Sequence, residues 1–201
     1  MKIFYIFLLS FLQSGTNTNN LTLPEQMKVT LNQIQTMECE FQQEREVSVL
    51  TEKGISRGKL HYVQGEFLLW QYNMPDHSGF LLQKDKLTIL DRTGQAIPNP
   101  GPGGLFDNIG KIILMGMSGD LLEKTEDFSP EFVDSKDYIH IKLIPVQREL
   151  KRLFTQLDLF FNKVDYMIQA VVIHEAFGDK TTVRLGNYRI NHTIDNKLFE
   201  K

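Results

Sequence analysis

Cysteine is nearly missing from this 201-residue chain: Cys39 stands alone, so neither an intramolecular disulfide nor a cysteine-based zinc site can support the fold. A surplus of positive charge is lacking too. Lys and Arg number 22 against 25 Asp and Glu, a net charge of −3, which excludes the phosphate-neutralising surface of a nucleic-acid binder. Histidines at metal-ligand spacing are also missing. His61, His77, His140, His174 and His192 stand 16, 63, 34 and 18 residues apart, with no HxxxH or HExxH pair. His140 and His174 fall on predicted strands, where an exposed-face position is expected.

Catalytic signatures fail on single residues. Gly116-Met117-Ser118-Gly119-Asp120 has Asp120 where a nucleophile elbow needs glycine, and no strand precedes it. Between Gly104 and Gly110 there is one residue too many for a phosphate loop, and Ile112 replaces its Ser or Thr. Cys39 has no basic neighbour to lower its pKa and reads as a buried structural thiol. The expectation is a protein that is not an enzyme and needs no metal or cofactor.

A long hydrophobic run is lacking as well. The apolar stretch from Ile3 to Leu12, broken by Ser10 and preceded by Lys2, reaches only about half of a ~30 Å hydrocarbon core. It reads as an export signal over residues 1–17, cleaved near residues 14–18, with an uncleaved N-terminal anchor as the alternative. No cysteine lies there to carry a lipid. Asn17 to Asn20 form a short lead-in, and residues 21–201 form a single domain.

Thr22-Leu23-Pro24-Glu25 has the form of a capping box with Pro in the first turn. Met27, Leu31, Ile34 and Met37 follow as one apolar helical stripe. From Glu38 the period changes to two, and a strand is expected. Further strands are expected at Gly58–Val63, Glu66–Asn73, Gly79–Lys84, Leu87–Arg92, Tyr138–Pro145, Leu153–Phe161, Tyr166–Glu175 and Thr181–Ile190. The connections are too short for parallel crossovers, so the prediction is one large antiparallel sheet, mainly β in an α+β class. Ile97 to Gly104 (IPNPGPGG) can be neither helix nor central strand. Beyond it Leu105, Phe106, Ile109, Ile112, Ile113 and Gly116 share one helical face, and Asp120 to Lys124 continue as a turn or short helix.

Apolar residues exceed what one buried sheet face needs. Leu68, Trp70 and Tyr72 alternate with Phe67, Leu69 and Gln71, so both faces of that strand are rich in large side chains. A packed sandwich or sheet–helix core explains this. So does an apolar cavity only partly filled by the two helices, with the second helix as a movable lid.

Several motifs in order resemble the periplasmic outer-membrane lipoprotein carrier family (LolA/LolB-like). Phe41-Gln42-Gln43 is similar to its F-x-Q strand, and Gly58, Leu60 and Tyr62 resemble its G-x-L strand. Leu68-Leu69-Trp70 with Pro75 looks like its F-x-W strand and turn. Phe177 to Thr182, Asn187, Asn191 and Leu198-Phe199 resemble its closing hairpin and terminal L-F. The resemblance implies an unclosed antiparallel β half-barrel, with an N-terminal helix and a mid-chain lid helix over its concave apolar face.

The same resemblance implies a monomeric periplasmic carrier that holds the acyl chains of lipoproteins, taking them from an inner-membrane transporter to an outer-membrane acceptor. By position, Phe41, Leu60, Tyr62, Leu68, Trp70 and Tyr72, with Leu87 and Ile89, would line the cavity. Met27, Leu31, Ile34, Leu105, Ile109, Ile112 and Ile113 would supply the helical cover. Met115, Met117 and Met167 suit such a surface because thioethers repack around variable chains. Two departures are visible. Gln64-Gly65 replaces the family's Arg-Pro, giving a weaker lid latch at Gln64. The chain ends at Lys201 without a C-terminal tail. Both keep open a carrier of a glycolipid or another acylated envelope molecule, or an envelope sensor or binding module on the same fold.

Overall fold

Antiparallel hairpins build almost the whole chain. The structure, a computed structural model, describes residues 21–84, 86–98 and 105–200, the side chains of 105–111 excepted. The expected export segment, its cleavage window, the lead-in to Asn20 and the stretch from Asn99 to Gly104 lie outside the described residues, as do the side chains of Leu105 and Ile109.

The first meander comprises β1 (Thr36–Glu46), β2 (Gly54–Val63), β3 (Phe67–Met74), β4 (Gly79–Gln83), β5 (Lys86–Leu90) and β6 (Ala96–Ile97). The second comprises β7 (Phe128–Val133), β8 (Ile139–Pro145), β9 (Phe154–Phe161), β10 (Ile168–Glu175) and β11 (Lys180–Ile190). They join in one sheet of order β6-β5-β4-β3-β2-β1-β11-β10-β9-β8-β7. Every neighbouring pair is antiparallel, and β1 meets β11 at the centre, with Phe41 opposite Leu185. Strands β6 and β7 remain as edges, so the sheet is an open half-barrel, as expected.

Strand β7 is missing from the expected set. Its sequence, FSPEFV, carries Pro130 in mid-strand, which argues against a strand unless that strand lies at an edge, where it does lie. The four-residue α3 (Arg148–Lys151) between β8 and β9 was likewise not expected.

Helix α1 (Leu23–Leu31) starts as its sequence predicts. The Glu25 carboxylate accepts from the Thr22 backbone N–H at 2.7 Å and from its hydroxyl at 2.8 Å. It ends sooner than the apolar stripe. The N–H groups of Gln33 and Ile34 turn back to Thr30 and Leu31 carbonyls at 3.1 Å. Ile34 therefore lies in a turn and not on the helix face, while Met37 lies on β1; both are buried. The apolar spacing persists because turn and strand face the same core. Helix α2 (Leu105–Ser118) precedes a 3-10 turn at Asp120–Leu122. No helix among the described residues is long and apolar enough to cross a membrane.

The inner face carries the main core. Met37, Cys39 and Phe41 of β1 share it with Leu60, Trp70, Leu157, Val171 and Val183 from the other strands. Met27 and Leu31 of α1, Ile112, Ile113 and Met117 of α2, and Leu121 and Leu122 of the turn cover it. Each such side chain contributes about 1.5–3 kcal/mol when fully withdrawn from water.

The apolar surplus on β3 has a separate cause. Leu69, with Leu81 and Leu90, faces outward beneath the end of the chain, where Phe199 stacks on Phe67 with ring centroids 4.5 Å apart. Strand β3 is thus covered on both faces.

Candidate functional site

Register brings the sequence-derived residues onto the inner face. Leu60 lies opposite Cys39 and Trp70, and Tyr62 opposite Met37 and Leu68. Trp70 lies opposite Phe80, which pairs with Ile89, and Leu68 opposite Leu82, which pairs with Leu87. Phe41, Leu60, Tyr62, Leu68, Trp70 and Tyr72 are buried in the main core, with Leu87 and Ile89 half-buried against it.

Aromatic stacking organises this face. Phe41 stacks on Trp70 at 3.7 Å between centroids and meets Tyr72 edge-on at 5.3 Å. Trp70 lies parallel to Phe80 at 6.2 Å. Gly58 permits the arrangement, because a Cβ there would stand 2.5 Å from Phe41 Cζ and 2.2 Å from the Gln71 carbonyl oxygen. Tyr72 donates its hydroxyl to Gln43 Oε1 at 2.8 Å, so the apolar trough ends at a polar pair. Burial pushes the Tyr62 and Tyr72 hydroxyls upward in pKa.

The expected partly vacant cavity is not what the described residues form. Between the helices and the sheet, Leu31, Ile34, Met37, Tyr62, Met117 and Met167, with Gly116, Ile168 and Tyr188, enclose about 10 Å³. That is at most the room a single water needs, about 10–15 Å³. Ile112, Ile113 and Met117 of α2, with Leu121 and Leu122 of the turn after it, fill this part of the face with their own side chains, and it is closed there. An open groove of about 270 Å³ runs beside α2, between Leu114 and Val63, Phe67, Leu68 and Leu82. Leu68, itself buried, forms part of its wall.

Gln64 ties a different element from the one expected. Its Oε1 accepts from Gln35 Nε2 at 2.7 Å and its Nε2 donates to the Asn32 carbonyl at 3.3 Å, so it fastens the α1–β1 connection. Cys39 is buried and free, and burial with Glu38 and Glu40 pushes its thiol up to about 12. Ser118 donates to the Met115 carbonyl and to the Asp120 carboxylate, and no histidine shares this contact among the described residues. No group of three His, Cys, Asp or Glu that could hold a metal occurs among the described residues.

One polar constellation escaped the sequence. On the outer face Asp158 of β9 accepts from Nε2 of His140 on β8 and of His174 on β10, both at 2.7 Å, and Gln156 Nε2 lies 2.9 Å from both carboxylate oxygens. Both histidines are half-buried and not fully exposed. The sequence placed His140 and His174 on exposed strand faces, but only the register of three strands brings them to Asp158. Burial pushes the Asp158 carboxyl up, yet the hydrogen bonds from His140, Gln156 and His174 prevail and its pKa is lowered.

A carboxylate whose native pKa lies below its unfolded value adds stability above the unfolded pKa, and loses it as pH falls through the native one. The stability difference between wild type and Asp158→Asn in urea titrations should therefore hold above about pH 5 and shrink towards pH 2. A constant difference across that range would contradict the assignment.

An open antiparallel sheet with an apolar inner face roofed by helices defines the class of open half-barrels. The chain belongs to the LolA family: the family model described as outer membrane lipoprotein carrier protein LolA matches residues 32–201. Comparison with the curated proteins gives no significant match. Among solved structures, a LolA superfamily protein from Nitrosomonas europaea is 10% identical, with 90% of this chain and 99% of that one aligned and a TM-score of 0.48. An uncharacterized conserved protein from Thermus thermophilus is 11% identical over 86% of this chain and 90% of its own, TM-score 0.50. The MucA/MucB complex of Pseudomonas aeruginosa aligns at 8% identity over 87% of this chain and 60% of the other, TM-score 0.49.

Proposed function

We propose that the protein is an acyl-chain carrier of the cell envelope, holding the lipid part of a lipoprotein or another acylated molecule between its sheet and α2, without catalysis. The observation that carries this is the inner face itself: an apolar trough from Leu68 to Tyr72, roofed by methionine-bearing helices and bordered by the groove at Leu114. Family membership supports it.

The closed state fits a carrier energetically. Burying ~15 methylenes at about 0.8 kcal/mol each yields on the order of 12 kcal/mol, comparable with a bilayer. Cargo can be both taken up and released only if opening the protein costs part of that gain. Displacing α2 from Tyr62, Met37 and Ile168 supplies such a cost, and thioethers at Met117 and Met167 repack around chains of different length.

The test is capture of a synthetic diacylated lipopeptide by the purified chain. Leu68→Glu places an unpaired carboxylate in the trough and should lower capture by more than about tenfold. Gly116→Leu narrows the space under α2 from a position whose added Cβ would meet only Ile168 Cδ1 at 3.8 Å. It should weaken capture while leaving far-UV circular dichroism unchanged. Wild-type capture by folded Gly116→Leu and Leu68→Glu, or no capture by the wild type, would overturn the proposal. Native mass spectrometry of the purified protein then distinguishes lipoprotein from glycolipid cargo by the mass that travels with it.

A further inference from the structure

At the end of the sheet where β1 runs into β2, three connections stand side by side: 47–53 between β1 and β2, 176–179 between β10 and β11, and 146–153 between β8 and β9. Each carries large apolar side chains in water. Phe177 is 88% exposed, Val49 86% and Leu50 64%, and Val146 and Leu153 are exposed beside them. On loops with no internal order such residues would be ordinary, but these loops are clamped to one another.

The Asp179 carboxylate accepts from the Ser48 N–H at 3.0 Å and the Ser48 hydroxyl at 3.1 Å, and the Ala176 N–H donates to the Leu153 carbonyl at 2.9 Å. The apolar tips are therefore held outward by their own backbone bonding.

Charge distinguishes this rim from the rest of a chain of net charge −3. Glu46 is neutralised between Lys53 and Lys180, both at 3.0 Å, and Glu175 and Asp179 lie at 3.8 and 3.5 Å from Arg45. Arg148, Lys151 and Arg152 are exposed on the third connection beside the exposed Glu149, with no ion pair among the described residues; with Glu52 exposed on the first connection, the cations Arg45, Lys53, Arg148, Lys151, Arg152 and Lys180 exceed the carboxylates Glu46, Glu52, Glu149, Glu175 and Asp179 by one. Behind the tips an open groove of about 550 Å³ is floored by Ser48, Thr155, His174 and Lys180.

We propose that this rim docks on an anionic phospholipid surface, with Phe177, Val49 and Leu50 entering the headgroup boundary and Arg148, Lys151 and Arg152 facing the lipid phosphates. Protruding apolar tips with a collar of unpaired cations match a bilayer, whose interface accepts side chains without a shaped pocket. A protein partner would need complementary walls, and Phe177 and Val49, the most exposed tips, stand outside the lining of the groove. The proposal does not depend on acyl-chain capture, since the rim lies outside the trough.

The test places an environment-sensitive thiol dye at Leu50→Cys in the full chain. Cys39, buried and with its thiol pKa pushed up to about 12, stays unlabelled. Vesicles of phosphatidylcholine with phosphatidylglycerol should shift the dye emission to the blue, and phosphatidylcholine alone should do so less. The same dye at Glu66→Cys, exposed at the opposite rim, should not shift.

Each of Arg148→Gln and Arg152→Gln should weaken vesicle affinity by about fivefold, and Phe177→Ser should weaken it further. All three are surface changes that leave the thermal unfolding temperature in place. No shift at residue 50, an equal shift at residues 50 and 66, or affinity indifferent to Phe177 and the arginines would overturn the proposal. Docking on a protein alone would appear as the first of these.

Discussion

Trp70→Ala should lower the unfolding free energy by about 3–5 kcal/mol, the range for removing a large aromatic side chain from a packed core. Trp70 is fully buried and lies between Phe41 and Phe80, so its loss leaves rings on either side without a neighbour. For a chain of this length the unfolding temperature should fall by roughly 10 °C. Trp70→Phe keeps a ring in the stack and should cost clearly less. Differential scanning calorimetry checks both, and a change of less than about 1 kcal/mol for Trp70→Ala would mean that the trough repacks freely. The result also bears on capture: a trough that tolerates this deletion has slack for an acyl chain, whereas one that does not must open by moving its helical cover.

Gly58→Ala is expected to cost about 3 kcal/mol, at the upper end for overpacking. One methyl group there would stand 2.2 Å from the Gln71 carbonyl oxygen and 2.5 Å from Phe41 Cζ. The first contact is backbone of the adjacent strand and cannot yield without parting β2 from β3. The second could yield if the ring left. Gly58→Ala with Phe41→Leu should therefore recover part of the loss and not all of it, a non-additivity that a double-mutant cycle in urea measures. The near-ultraviolet circular dichroism of the single variant should also fall, because the Phe41–Trp70 stack is disturbed. Full additivity would show that Phe41 and Gly58 do not share this contact.

The period-two segments in the sequence located most strands because each has one face in the core, and short turns left antiparallel pairing as the solution. Strand β7 was hidden by Pro130, a residue that excludes a central strand but not an edge. The end of α1 was over-read because Ile34 and Met37 continue an apolar spacing that turn and strand happen to satisfy as well. Alternation grouped Leu68, Trp70 and Tyr72 on one face of β3, and the resemblance to the carrier family set that face inward, because Phe67 and Leu69 make the other face apolar too.

Two features of the site were not legible. That the trough is closed depends on how α2 lies across the sheet, and side-chain periodicity carries no such information. The meeting of His140, Asp158 and His174 depends on register across three strands, and a one-residue slip would send any of them to the other face. Gln64 illustrates the same limit: its neighbours Asn32 and Gln35 come from the α1–β1 connection, about thirty residues earlier in the chain.

The pairing of β1 with β11 joins the first strand to the last. Phe41 and Leu185 are neighbours although nearly the whole domain lies between them in sequence. Each meander can zip from its own turns as it emerges, but the seam between them can form only after the final strand is available. A polypeptide threaded through a pore from its N-terminus would thus remain in two unjoined halves until the last segment arrived, and the apolar inner face, which spans that seam, would not be complete before the outer face of β3 could be covered by Phe199.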